Sequence, residues 1–188
     1  MPIRVLRESD AEAYRQLRLA GLRTNPEAFG STYESEAQMP LETMRSRIVP
    51  AKDKFVLGAF REDGSLSGIV TFVRESGIKT AHKGNLYGMY VAPDARGQGT
   101  GRSLLLESIR RASACEGLEQ INLAVVSDNR PAKELYRSLG FETYGVEKRA
   151  LKHNGQYYDE DFMVLRLVKN DRGSPIPNDG QLDGGKKE

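Results

Sequence analysis

Met89-Tyr90-Val91-Ala92-Pro93-Asp94-Ala95-Arg96-Gly97-Gln98-Gly99-Thr100-Gly101-Arg102 is the stretch that decides the reading of this chain. It runs from a strand-like segment through a proline turn into three alternating glycines, and a helical pattern follows with Leu105, Ile109 and Ala112 as its apolar stripe. Glycine lets a backbone approach a ligand closely. Consecutive N–H groups at the positive end of a helix attract an anion. Arg96 and Arg102 add formal charge of the same sign. The chemistry implied is a grip on phosphate or pyrophosphate; the plain alternative is a turn and a helix cap with no ligand. Two common phosphate motifs do not fit. A dinucleotide fingerprint counted from Gly97 requires glycine where Arg102 stands, and a P-loop requires Lys-Ser/Thr after Gly101.

Outward from this loop the periodicities alternate. Strands are predicted at 3–6, 54–60, 66–75, 84–91, 120–126, 144–152 and 157–168. Helices are predicted at 10–22, from Pro40 to Pro50, over 102–114, and from Pro131 to a C-terminal stop at Gly140. Ser9-Asp10-Ala11-Glu12 has capping-box spacing, and Tyr14, Leu17 and Gly21 share one face of the first helix. Leu41, Met44 and Ile48 do so in the second. His153-Asn154-Gly155 reads as a type I′ hairpin tip. The order β–α–α–β–β–β–α–β–α–β–β predicts an α/β (α+β) fold: a mixed, mostly antiparallel sheet of six to seven strands with helices on both faces. One domain is expected over 1–170. The Gly- and Pro-rich segment 171–188 reads as a disordered tail.

Composition excludes several classes. The 188 residues carry 28 Lys plus Arg against 26 Asp plus Glu, a net charge of +2, which argues against a nucleic-acid partner. No apolar run is long enough to span a membrane, and the N-terminal MPIRVLRESD lacks a signal-like apolar core, so a cytoplasmic location is expected. Cys115 is the single cysteine, and His82 and His153 are the two histidines, so no metal site is expected.

Val91-Ala92-Pro93 followed by Arg96-Gly97-Gln98-Gly99-Thr100-Gly101 resembles the signature of the GNAT-type, acetyl-CoA-dependent N-acetyltransferases. A second block of that family, Asn-x-x-Ala-x-x-Leu-Tyr-x-x-x-Gly-Phe, is similar to Asn129, Ala132, Leu135, Tyr136, Gly140 and Phe141. The resemblance covers residues 2–168. It implies an acyl-CoA N-acyltransferase fold, in which the strand before the glycine loop is bulged and splays from its neighbour. The pantetheine arm would pair with the backbone of Met89, Tyr90 and Val91. The pyrophosphate would fall on Arg96, Gly97, Gln98, Gly99, Thr100, Gly101 and Arg102, and Asn129 would hydrogen-bond the co-substrate or cap its helix.

The resemblance further implies direct transfer of acetyl to a primary amine of a small molecule or protein in a ternary complex. Tyr136 would be the general acid that protonates the leaving thiolate. Cys115 would then be no nucleophile. In the branch that acetylates ribosomal-protein N-termini a Glu stands five residues before the motif Asn; here that position is Ala124. The base is therefore sought in Tyr33-Glu34-Ser35-Glu36, with Glu34 acting through water and Glu36 second. Tyr87 or Tyr90 would line the acceptor pocket. A catalytically silent acyl-CoA-binding sensor is the alternative, and a homodimer is an open expectation.

Overall fold

A computed structural model describes residues 1–167. The segment 171–188 and the domain boundary at 170 lie outside the described residues. The strands are β1 (Ile3–Val5), β2 (Lys54–Phe60), β3 (Leu66–Arg74), β4 (Lys83–Val91), β5 (Gln120–Val126), β6 (Glu142–His153) and β7 (Gln156–Arg166). The helices are α1 (Ala11–Thr24), α2 (Tyr33–Ala37), α3 (Leu41–Ile48), α4 (Thr100–Ser113) and α5 (Arg130–Arg137). Seven strands form one sheet in the order β1-β2-β3-β4-β5-β7-β6. Only the β4–β5 pair is parallel. This is the expected mixed architecture.

Alternation along the central strands builds two apolar layers. Ile121, Leu123 and Val125 of β5 join Leu104 and Leu105 of α4 and Tyr136 of α5 on one face. Tyr14 and Leu17 of α1 and Met44 and Ile48 of α3 cover Val56 and Ile69 on the other. Each of these fully buried aliphatic side chains contributes roughly 1.5–3 kcal/mol. Asn154 (φ +47°) and Gly155 (φ +80°) take the left-handed conformations that a type I′ tip requires.

Three expectations are corrected. Helix α1 starts at Ala11 with no side-chain cap from Asp10; the Asp10 carboxylate instead accepts the Arg7 N–H at 2.7 Å and binds Arg4, because a 3-10 turn at Glu8–Asp10 precedes the helix. Helix α4 starts two residues early, and Leu104 rather than Ile109 is fully buried. Gly68 explains this: a Cβ there would stand 2.9 Å from Leu104 Cδ1, so the helix rests directly on β3. The segment around Glu34 is a short helix, α2, capped by Thr32 Oγ1 accepting the Ser35 N–H at 3.2 Å.

Candidate active site

Strands β4 and β5 are neighbours over only three rungs, Lys83–Gln120, Gly84–Ile121 and Asn85–Asn122. Beyond Asn85 and Asn122 no rung joins them, although β4 stays paired with β3 and β5 stays paired with β7. One backbone edge of each strand therefore faces an open V, and such edges seek hydrogen-bond partners. The cause is a bulge. Ile69 pairs with Tyr90 and Thr71 with Tyr87, so β4 holds one extra residue over this span, and Gly88 sits there at φ +57°.

The glycine loop continues from the open end of β4. Gly97 (φ +72°) and Gly99 (φ +78°) are left-handed, and a Cβ at either would meet nothing within 4 Å. The first backbone bond of α4 runs from the Ser103 N–H to the Gly99 C=O at 3.0 Å. Among the described residues no protein acceptor meets the N–H groups of residues 97–102. The loop is pinned from behind: Arg61 grips the Asp94 carboxylate with two bonds of 2.8 Å, Gln98 Nε2 donates to the Asp94 C=O at 2.9 Å, and buried Thr100 Oγ1 donates to the Ala95 C=O at 3.1 Å. The arginines lie along its flanks. Arg96 donates to the Val91 C=O and to Asn25 Oδ1, both at 2.9 Å, and Arg102 donates to Ser138 Oγ at 3.1 Å. The unpartnered donors of the loop are thus in the main chain, with cationic side chains beside them.

Below the V lies Tyr136. Its ring packs edge-on against Phe141, and its hydroxyl reaches Met89 Sδ of β4 at 3.5 Å. Burial pushes the phenol up to about 12, so it stays protonated and able to donate. Asn129 caps α5, its Oδ1 accepting the Ala132 N–H at 3.3 Å, and is half-buried at the end of β5. The helix is fastened to β7 by Lys133 Nζ on Asp161 Oδ2 at 2.7 Å. Burial alone would raise Asp161, but hydrogen bonds from Lys133 and Ser127 outweigh it and hold the carboxyl below its ordinary value. Replacing Lys133 by Met leaves that carboxylate buried without its cation, with Ser127 Oγ still donating to it. Chemical denaturation of Lys133→Met is expected to show a loss of about 3–5 kcal/mol.

On the opposite face, α1, α2 and the β6–β7 hairpin line an open cavity of about 470 Å³. Leu22 and Phe29 supply apolar wall; Arg23, Lys152 and His153 supply basic groups; Glu27 and Glu34 supply carboxylates. Glu34 is exposed there, as a water-linked base requires. Glu36, the second candidate, is not available to an amine. It is 1 % exposed, and its carboxylate is bonded to Arg18 at 3.0 Å and Arg47 at 3.3 Å. Tyr90 is buried against Gly21, with its hydroxyl 3.0 Å from Thr24 Oγ1, whereas Tyr87 is exposed on β4; neither lines the cavity. Ala124 is exposed on β5. Burial raises the Cys115 thiol, which fits a packed residue rather than a nucleophile. His82 binds through its backbone C=O, which accepts the Glu119 N–H at 2.8 Å.

Sequence reasoning missed Gly88, Arg18 and the hairpin pair Lys152-His153. Arg18 had a visible signal, since it falls on the same helical stripe as Tyr14 and Gly21. The hairpin tip had none, because only the sheet order carries it to α2.

The family description "Acetyltransferase (GNAT) domain" matches residues 3–162. This chain belongs to the GNAT acetyltransferase family. Among curated relatives of this GNAT protein, a mycothiol acetyltransferase of Thermobifida fusca is 35% identical over 130 residues, which is 65% of this chain and 40% of that protein. The chain thus spans two fifths or less of the length of the first mycothiol acetyltransferases it resembles. A phosphinothricin N-acetyltransferase of Alcaligenes faecalis is 28% identical over 175 residues, 92% of this chain and 86% of that protein. A GNAT superfamily phosphinothricin acetyltransferase from Sinorhizobium meliloti, solved in complex with AcCoA, shares the fold at a TM-score of 0.76 and 22% identity, with 94% of each chain covered. Among the described residues no helix is long and apolar enough to cross a membrane, and no three His, Cys, Asp or Glu side chains cluster as a metal site.

Proposed function

We propose that this GNAT protein transfers acetyl from acetyl-CoA directly to the primary amine of a small molecule. The carrying observation is the V between β4 and β5, opening beside a loop whose amides at 97–102 have no protein partner among the described residues. A slender arm with amide groups suits the unpaired edge at Met89, Tyr90 and Val91. A diphosphate suits the loop, where Gly97 and Gly99 present open space in place of side chains.

The amine nitrogen attacks the thioester carbon, and the carbonyl oxygen takes the electron pair. That pair returns as the C–S bond breaks, and the thiolate leaves. Tyr136 gives it a proton from below the V, and Glu34 takes the amine's proton through water. Holding both reactants across one gap supplies the proximity. The cavity beside Glu34 has room for a small amine, and its mixed charge suits an acceptor that carries an acidic group as well. The acceptors named in the phosphinothricin relatives support this class.

Coenzyme A release measured against a panel of amino acids, polyamines and peptides tests the reading. Turnover with small amines is the expected result. Acetyl-CoA binding without release on any amine would instead favour the silent sensor, for which the missing carboxylate at Ala124 is the supporting observation.

A further inference from the structure

We propose that Arg18 is a positioning residue for the transfer step, a fixed cation that stands behind the β4 bulge and favours negative charge on the thioester oxygen. The inference rests on the transferase reading above.

Arg18 lies on the apolar face of α1 and is 8 % exposed, a rare site for a charge. Its Nε and Nη2 hold the two oxygens of Glu36 at 3.2 and 3.0 Å, and Nη2 also reaches Ser31 Oγ at 3.3 Å. The guanidinium lies 4.5 Å over the Phe29 ring. Burial opposes ionisation of Glu36, yet the Arg18 hydrogen bonds and charge hold its carboxyl below the ordinary value. Arg47 Nη1 approaches the same carboxylate at 3.3 Å. Two guanidiniums thus share one carboxylate, and the cluster carries one net positive charge.

The third nitrogen is different. Nη1 is buried and, among the described residues, has no hydrogen-bond partner. A Cβ on Gly88 would stand 3.3 Å from it. Gly88 is the bulge residue at φ +57°, so the free arm of Arg18 backs the bulge, three residues beyond the last β4–β5 rung at Asn85. As structure alone this is a poor arrangement. A buried ion pair rarely beats apolar packing, and an unpaired buried donor costs further stability. Such a group calls for an explanation in function. In the reaction, a new C–N bond pushes the carbonyl electron pair onto oxygen, then the pair returns as C–S breaks; an arm paired along Met89, Tyr90 and Val91, as proposed above, brings that oxygen beside the bulge at Gly88. A fixed charge in a water-poor setting favours the charged intermediate over the neutral thioester. It acts through the bulge backbone, and it does not bind the arm.

Three full-chain variants test this: Arg18→Met, Arg18→Lys and Glu36→Gln. The readouts are kcat, KM for acetyl-CoA and amine, acetyl-CoA affinity by calorimetry, and the thermal midpoint. Arg18→Met is expected to lower kcat about tenfold or more, with acetyl-CoA affinity within about threefold of wild type. Arg18→Lys keeps the charge and restores most of kcat. Glu36→Gln breaks the same ion pair but leaves both cations, so kcat holds or rises while the midpoint falls. Equal kcat losses in Arg18→Met and Glu36→Gln would make the pair purely structural and overturn the proposal. So would a raised amine KM at unchanged kcat, which makes Arg18 an acceptor contact. If Arg18→Met does not fold, Arg18→Gln, which removes the charge but keeps a polar side chain, decides: a kcat loss of about tenfold at unchanged acetyl-CoA affinity supports the role, and wild-type kcat refutes it. Wild-type protein that releases no coenzyme A with any amine sinks the transferase reading itself; wild-type turnover with a flat Arg18 series sinks only this inference.

Discussion

Gly99→Glu is expected to weaken acetyl-CoA binding by at least about 100-fold, since like charges brought together at a binding surface cost several kcal/mol. Residue 99 is left-handed at φ +78°, and space lies open where its Cβ would point. A glutamate there puts a carboxylate into the region where the amides of 97–102 face outward. Backbone strain is separable from this effect, because a non-glycine residue in that conformation costs about 1–2 kcal/mol whatever its charge. Gly99→Ala therefore serves as the control, with a small loss of thermal stability and a modest loss of affinity. Calorimetric titration of acetyl-CoA into the three proteins reads the difference. Glutamate and wild-type proteins of equal affinity would move the diphosphate away from this loop.

Tyr136→Phe is expected to lower kcat by about 10²-fold, the lower range for a positioned proton donor, while acetyl-CoA affinity stays near wild type. The substitution keeps the ring that packs on Phe141 and deletes one hydroxyl, whose partner is the weak acceptor Met89 Sδ. Stability should therefore hold, and a folding defect cannot mimic the loss. Burial pushes the phenol up to about 12, so the donor remains loaded with its proton at any ordinary assay pH. The wild-type rate should then show no alkaline fall that traces to Tyr136 below about pH 11. Unchanged turnover in the Phe variant would mean that the thiolate leaves without help from this group.

The local features of the fold were legible in residues. Asn154-Gly155 announced its turn because few residues accept positive φ. Helix α2 was not legible. Its five residues hold too few internal bonds to be stable alone, and Glu36 in an ion pair with Arg18 helps secure it. The same contact decided between two glutamates two positions apart. Glu34 and Glu36 look alike in sequence, but one faces a cavity and the other is closed in by two arginines.

By itself the sequence determined the strand–glycine loop–helix unit, the second block around Asn129 and Tyr136, and the apolar patterning that demands a sheet covered on two sides. The loop unit and the patterning depend on conformational preference and periodicity, which act over a few residues, and the second block was legible through its resemblance to the family. The resemblance implied that β4 splays from its neighbour; only the tertiary structure decided that this happens after three rungs, that Tyr136 meets Met89, and that Arg18 lies behind Gly88. Those are contacts between residues 37 to 70 positions apart, and the packing of whole layers, rather than any local preference, selects them.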